Sequence, residues 1–327
     1  MLITSASVSD LSGAIAAAQA GVGGIVLMGN NPPGNLAAEI SSVISAASPG
    51  VAPMMMTDEE GGAVQRLASL IGSIPSPREM AATMSTSAVR ALAAGVGTKM
   101  RALGIGMDLA PVVDLDAGAG PSATDPDGTR SFSSDASVAT AYAQAFAKGL
   151  SEAGVIPVLK HFPGLGGASA NTDVASAHTL SFTELKTSGL LPFEAMIKSG
   201  AAAVMVSNAT VPGLSDVVPT SLSTAVVTGL LREQLGFNGV IMTDSLQSVA
   251  ISNYQPDLGV AALDAFAAGN DMAMFAGLSP NEGALFKEVL GTVSSAIASG
   301  ELSRPAIEAS VGRILLIKGA APNCIYY

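Results

Sequence analysis

The chain contains only 2 histidines, and both lie in the stretch KHFPGLGGASANTDVASAH, which runs from Lys160 to His178. A histidine titrates near neutral pH, so it can give up or take a proton during a reaction. The lysine beside the first histidine ends an apolar run, and a lysine carried into such surroundings must meet an anion or a hydroxyl-rich ligand. Other apolar runs end in the same manner. MMMTDEEGG delivers Asp58, Glu59 and Glu60, APVVDLD delivers Asp114 and Asp116, VMVSNA ends at Asn208 and its neighbour, and VIMTDSL delivers Asp244. Carboxyls, a lysine and a histidine at one edge suit nucleophilic and acid–base chemistry. A carboxylate after a strand is also an ordinary helix cap. Asp114, followed at once by a second Asp and a glycine-rich loop, is read in that structural way.

The elements that would bring these residues together follow from periodicity. Short Val-, Ile- and Met-rich runs alternate with longer amphipathic segments, the pattern of parallel strands joined by helices. Strands are expected at 2–4, 24–28, 52–57, 106–113, 156–161, 202–207, 240–243 and 271–275. Helices are expected near 9–20, 35–47, 87–103, 137–153, 183–199, 223–235 and 257–268, with about two more from 282 onward. Ser181 and Glu184 have capping-box spacing, and Gly104, Gly154, Gly200, Gly236 and Gly269 stand where helices must stop. Eight strand–helix units imply an α/β fold, a (β/α)8 TIM-type barrel, as a single domain over residues 1–327. An open doubly wound sheet is the competing architecture. The chain lacks its nucleotide fingerprint: Gly21-Val-Gly-Gly24 precedes a strand, and no Gly-Lys-Ser/Thr ending occurs. In a barrel the reacting groups sit at the carboxyl ends of the strands, where the groups above fall.

Composition narrows the function classes. Hydrophobic residues are 49% and charged residues 13% of the 327, enough apolar material for a large core. A net charge of -11 with no basic cluster excludes a nucleic-acid partner. No apolar run reaches the roughly 18 residues of a membrane span. The lone Cys324 cannot close an intrachain disulfide. No Cys/His set or His-Glu-x-x-His spacing offers a metal site, so neither metal nor cofactor is expected. The chain shows no signal peptide; a native Met1 implies cytoplasm, whereas a removed leader implies the cell envelope or export.

KHFPG at Lys160–Gly164, DEEGGAVQR at Asp58–Arg66, TRSF at Thr129–Phe132 and MTDS at Met242–Ser245 together resemble glycoside hydrolase family 3, over nearly the whole chain. The likeness is to its one-domain β-N-acetylglucosaminidases. It implies a TIM barrel that removes terminal β-linked N-acetylglucosamine from cell-wall (muropeptide) fragments or related glycosides, by a retaining two-step mechanism, as a monomer without a cofactor. It makes Asp244 the nucleophile and Asp58, Arg66, Arg130, Lys160 and His161 the groups that hold the sugar. The family's acid/base histidine matches His178, but its partner aspartate, two positions earlier, is replaced by Ser176. Asp173, or more weakly Ser176, orients His178, or Asp173 is itself the acid; His178 is the preferred acid/base. Two further departures are Ser245, where a second acid commonly follows the nucleophile, and Asn208, where the family has a histidine. The alternatives are a β-glucosidase or β-xylosidase of the same family, transfer of the glycosyl unit to phosphate, and a sugar-binding protein with impaired turnover.

Overall fold

The computed structural model describes residues 1–48, 52–277 and 282–320; Cys324 lies outside them. Eight strands close into one parallel barrel. They are β1 (Leu2–Ser7), β2 (Gly24–Met28), β3 (Met54–Thr57), β4 (Met107–Asp108), β5 (Ile156–Phe162), β6 (Ala203–Val206), β7 (Val240–Ser245) and β8 (Met272–Met274). Each pairs with the next in parallel, and β8 pairs with β1 through Leu2↔Ala273 and Ile3↔Met274. The barrel expected from periodicity is therefore present, and the open sheet is not.

Alternation along each strand divides the apolar residues into two cores. One set, including Ile3, Val26, Met54, Met56, Met107, Met205, Met242 and Met274, fills the barrel interior. The other, including Ile25, Leu27, Met55, Leu159, Val204 and Ile241, meets the surrounding helices. Methionine, unbranched and adaptable, suits an interior whose spaces are irregular. Gly24 makes room for it: a Cβ there would stand 2.6 Å from Met56 Cε.

The expected elements shift where proline or side-chain competition intervenes. Only Met107–Asp108 of the run 106–113 is regular strand, because Pro111 has no N–H for the ladder. The chain still tracks its neighbour, with Val113 N donating to Lys160 O at 2.8 Å. The helix expected over 183–199 is two, Phe182–Leu185 and Leu190–Lys198. Pro192 cannot donate back to Ser188, and the Ser188 hydroxyl takes the Glu184 carbonyl instead. The segment Ala225–Gln234 is wound as a π-helix. A small hairpin, Glu59–Gly61 with Val64–Gln65, and the helices Pro77–Thr83 and Val249–Tyr254 have no counterpart in the periodicity. Among the described residues no helix is long and apolar enough to cross a membrane.

Opposite the mouth, Asp271 ties the helix Arg304–Ala320 to the barrel. Fully buried, it accepts from Arg313 Nε at 2.9 Å and Nη2 at 2.7 Å, Arg232 Nη2 at 2.7 Å and Ile241 N at 2.8 Å. Removing one partner of a buried ionic cluster strands the others. Asp271→Ala should therefore cost about 3–5 kcal/mol in urea unfolding, and a loss below about 1 kcal/mol would show the cluster to be dispensable.

Candidate active site

At the carboxyl ends of the strands lies a cavity of about 400 Å³. Its walls include Asp58, Arg66, Arg130, Lys160, His161, Asp173 and Asp244, and its floor includes Val26, Leu109, Met205 and Met274 from the barrel interior. A larger hollow of about 760 Å³ opens on the outer wall near Arg90, Gln144, Lys148 and Met196, but no carboxyl or imidazole lines it. Chemistry that moves protons belongs to the barrel mouth.

An ionic network organises one wall. Lys160 Nζ stands 2.6 Å from both Asp58 Oδ1 and Glu60 Oε1, and Arg130 grips Glu60 with Nε and Nη2, each at 2.8 Å. Burial alone would raise the Glu60 carboxyl, but the charges of Arg130 and Lys160 outweigh it and hold the group well below the carboxylate range. Burial would likewise lower Lys160, yet Asp58 and Glu60 raise it, so the ammonium stays charged. Arg66 is held more loosely, with Nη2 at 3.9 Å from Asp58 Oδ2. Its position depends on Glu59, whose Oε1 accepts the backbone N–H of Arg66 at 2.7 Å and of Leu67 at 2.6 Å. Asp58 lines the pocket, and its Oδ2, not taken by Lys160, has capacity to accept from a hydroxyl.

His161 joins the network from β5. Its Nδ1 lies 2.7 Å from Asp114 Oδ2, and its Nε2 lies 3.4 Å from Arg130 Nη2. A guanidinium only donates, so Nε2 accepts and Nδ1 carries the proton toward Asp114. Burial and then the Arg130 charge lower the imidazole well below its usual range, leaving the ring neutral at pH 7. Asp114 is therefore not the helix cap expected from its surroundings. Fully buried, it also takes the backbone N–H groups of His161 at 2.8 Å and Leu165 at 2.7 Å, and so orients the ring and starts the following loop. Arg78 fastens the loop carrying Arg130 by donating to the carbonyls of Asp116, Gly128 and Ser131.

Ligand atoms of Asp114, Asp127 and His161 lie within 4.8 Å of one another. The donor set fits a metal poorly: Nδ1 already donates to Asp114, Nε2 already accepts from Arg130, and Arg130 Nη1 is 3.7 Å from Asp127.

The loop after β5 separates the two groups expected to share the proton work. Ser169 N donates to His178 O at 2.8 Å, His178 N donates to Ser169 Oγ at 3.0 Å, and His178 pairs with Thr210. These bonds close the loop at its base. Its far part, Asn171, Thr172 and Asp173, reaches the pocket wall. The base keeps His178 off that wall, exposed, with Nδ1 3.3 Å from the Thr179 carbonyl. Backbone pairing with Thr210 holds His178 on the base of the loop, outside the pocket lining, whereas Asp173, itself exposed, is one of the lining residues. Ser176 does not contact the imidazole; its Oγ accepts from Asn253 Nδ2 at 3.0 Å. Gly166 lets the loop pack closely, since a Cβ there would collide with the Leu115 carbonyl.

Asp244 ends β7, half-buried, with Oδ1 accepting from Ser245 N at 2.7 Å. Burial raises its carboxyl above the ordinary value, opposed by His161 and reinforced by the Asp173 charge. Although Asp173 is an exposed residue, desolvation where it meets the pocket raises its carboxyl, with Arg130 opposing and Asp58 reinforcing.

Behind His161, Asp127 is a group that sequence reasoning missed, having no periodic or cap signal in its Gly/Ser/Asp loop. It is fully buried, with both carboxylate oxygens lacking hydrogen-bond partners among the described residues. Burial, then repulsion from Asp114, pushes it up to about 8. A carboxyl raised on folding binds its proton more tightly in the native state. Its contribution is present below the unfolded value near 4 and is lost as pH rises toward 8. The stability of Asp127→Asn relative to wild type should therefore climb between pH 5 and pH 8. Parallel thermal-melting curves for the two proteins across that range would contradict the assignment.

Residues 12–317 match the glycosyl hydrolase family 3 N terminal domain. The chain is 38% identical over 315 residues to "Beta-hexosaminidase LpqI" of Mycobacterium tuberculosis, covering 93% of this chain and 77% of that protein. Among solved structures it superposes on a family 3 glycosyl hydrolase from Mycobacterium smegmatis with a TM-score of 0.86 and 38% identity, covering 97% of this chain and 94% of the other. It superposes on the beta-N-acetylhexosaminidase of Beutenbergia cavernae with a TM-score of 0.88 and 29% identity, covering 97% and 96%. With a family pattern spanning nearly its whole barrel, the chain belongs to glycosyl hydrolase family 3.

Proposed function

We propose that this chain is a retaining exo-β-N-acetylglucosaminidase in which Asp244 is the nucleophile and Asp173 the general acid/base. The observation that carries the reading is the meeting of these two carboxyls in one pocket whose other wall is the Asp58–Lys160–Glu60–Arg130 network. The relatives named beta-hexosaminidases support N-acetylglucosamine as the sugar. Cell-wall fragments ending in that sugar are the natural substrates we propose.

Charged partners strengthen hydrogen bonds to sugar hydroxyls. Asp58 accepts from hydroxyls, Arg66 and Lys160 donate to them, and Arg130 and His161 hold the wall in register. Asp244 attacks the anomeric carbon while Asp173, protonated, donates to the departing oxygen; the bond to the aglycone breaks as the bond to Asp244 forms. Asp173 then takes a proton from water, and that water displaces Asp244, so the sugar leaves with its original configuration. The mutual repulsion of the pair favours one proton shared between them, the state that the first step needs.

Initial rates on 4-nitrophenyl β-glycosides test the reading. Wild type should favour the N-acetylglucosaminide over the glucoside, and Asp244→Asn should abolish turnover of both. Asp173→Asn should lose about 10²–10⁴-fold on substrates with poor leaving groups and less on activated ones. His178→Ala should stay near wild type. The wild-type pH profile should fall on the acid side as Asp244 takes a proton and on the alkaline side as Asp173 loses one, with only the alkaline limb missing in Asp173→Asn. Glucoside preference would change the assigned sugar. Collapse in His178→Ala with normal Asp173→Asn would return the acid/base role to the histidine, and absence of turnover would favour a binding protein.

A further inference from the structure

The side chain of Asn208, just beyond β6, lies almost completely buried between β7 and the helix Val249–Tyr254. Its Nδ2 donates to Ser245 O at 2.7 Å and to Ser248 Oγ at 3.0 Å, while its Oδ1 accepts from Ser221 Oγ at 2.6 Å. Both donor hydrogens and an acceptor position are used, which an amide of this size can do and a carboxylate cannot.

The two groups that Asn208 holds lead to the two carboxyls. Ser245 follows Asp244, and its N–H is the one that binds Asp244 Oδ1. Asn208 grips the carbonyl of that same residue, so both polar backbone groups of Ser245 are fixed and the Asp244 carboxylate is aimed. Ser248 is the N-cap of the helix Val249–Tyr254, its hydroxyl accepting from Ile251 N. That helix carries the loop with Asp173: Ala250 N donates to Thr172 O at 3.0 Å, and Asn253 Nδ2 donates to Ser176 Oγ at 3.0 Å. Asp173 lies between those two attachment points.

The geometry points to Asn208 as a positioning residue that sets the spacing of the nucleophile and the acid/base. It acts on Asp244 through Ser245 and on Asp173 through Ser248 and the helix it caps. This rests on the roles given above to Asp244 and Asp173. Misplacing a reacting group by about 1 Å can cost about 10²-fold in rate. The sugar-holding wall, by contrast, is built from β3, β5 and the loop before Arg130, and it does not pass through Asn208.

The test is Asn208→Asp, which keeps shape but removes both donors and faces a carboxylate toward the Ser245 carbonyl. Rates on 4-nitrophenyl and on unactivated alkyl β-N-acetylglucosaminides should fall about 10-fold and about 100-fold respectively, since the second needs acid help as well as the nucleophile. The inhibition constant of free N-acetylglucosamine should change less than about threefold, because lost orientation lowers kcat and spares ground-state binding. Asn253→Ala, on an exposed residue, should slow only the unactivated substrate, and it keeps the test open should Asn208→Asp fail to fold. The inference is overturned by wild-type rates in Asn208→Asp, by sugar affinity falling in step with kcat/KM, or by equal losses on both substrates in Asn253→Ala. An inactive wild type, or an active Asp244→Asn, overturns the underlying assignment first. A dead Asp244→Asn beside a normal Asn208→Asp overturns this inference alone.

Discussion

The site depends on Glu60. Its carboxylate is fully buried, and such a charge is tolerated only when opposite charges surround it closely. Arg130 supplies two bonds and Lys160 a third ion contact, so residues from the β3 end, the loop after β4 and β5 are fixed by one anion. The same cations then stand ready for a sugar. Lys160 reaches Asp58, and Arg130 reaches His161, so the groups on this wall share a single electrostatic frame. Because the frame is satisfied internally, it is formed before a substrate arrives, and little ordering remains to be paid for on binding.

The opposite wall is organised by neutral hydrogen bonds. Asp244 is aimed by the peptide of Ser245, and the loop bearing Asp173 rests on the helix after β7 through Ala250 and Asn253. An internally neutral wall leaves the two carboxyls without a fixed cation of their own. Desolvation raises both, as the roles proposed for them require of a pair in which one waits protonated while the other attacks. One side of the pocket therefore holds charge fixed and the other lets a proton move.

Much of this architecture was legible in the sequence, and the exceptions have physical causes. Each barrel strand is an apolar run, and Asp58, Lys160, His161 and Asp244 directly follow or end such runs, so chain position alone puts them at the mouth. The glycines at 104, 154, 200, 236 and 269 all adopt positive φ where helices stop. Regular strand in β4 was overestimated because periodicity cannot see the missing N–H of Pro111. The loop 165–178 is less legible for another reason. Which of its residues reaches the pocket is decided by pairing of His178 with Thr210, a tertiary contact with no local signature. Asp114 looked like a cap for the same lack of information, since its true partners are a ring and two amides on β5 and beyond.

The central claim, that Asp244 forms a bond to the sugar, is tested most directly by trapping that bond. A 5-fluoro N-acetylglucosaminyl fluoride slows both steps while its leaving group keeps the first one faster. Intact-protein mass spectrometry followed by peptide mapping should find one sugar per chain, attached within VIMTDSL at Asp244, and no adduct in Asp244→Asn. An adduct on another carboxylate, or steady turnover with no adduct under conditions that should accumulate one, would contradict the account.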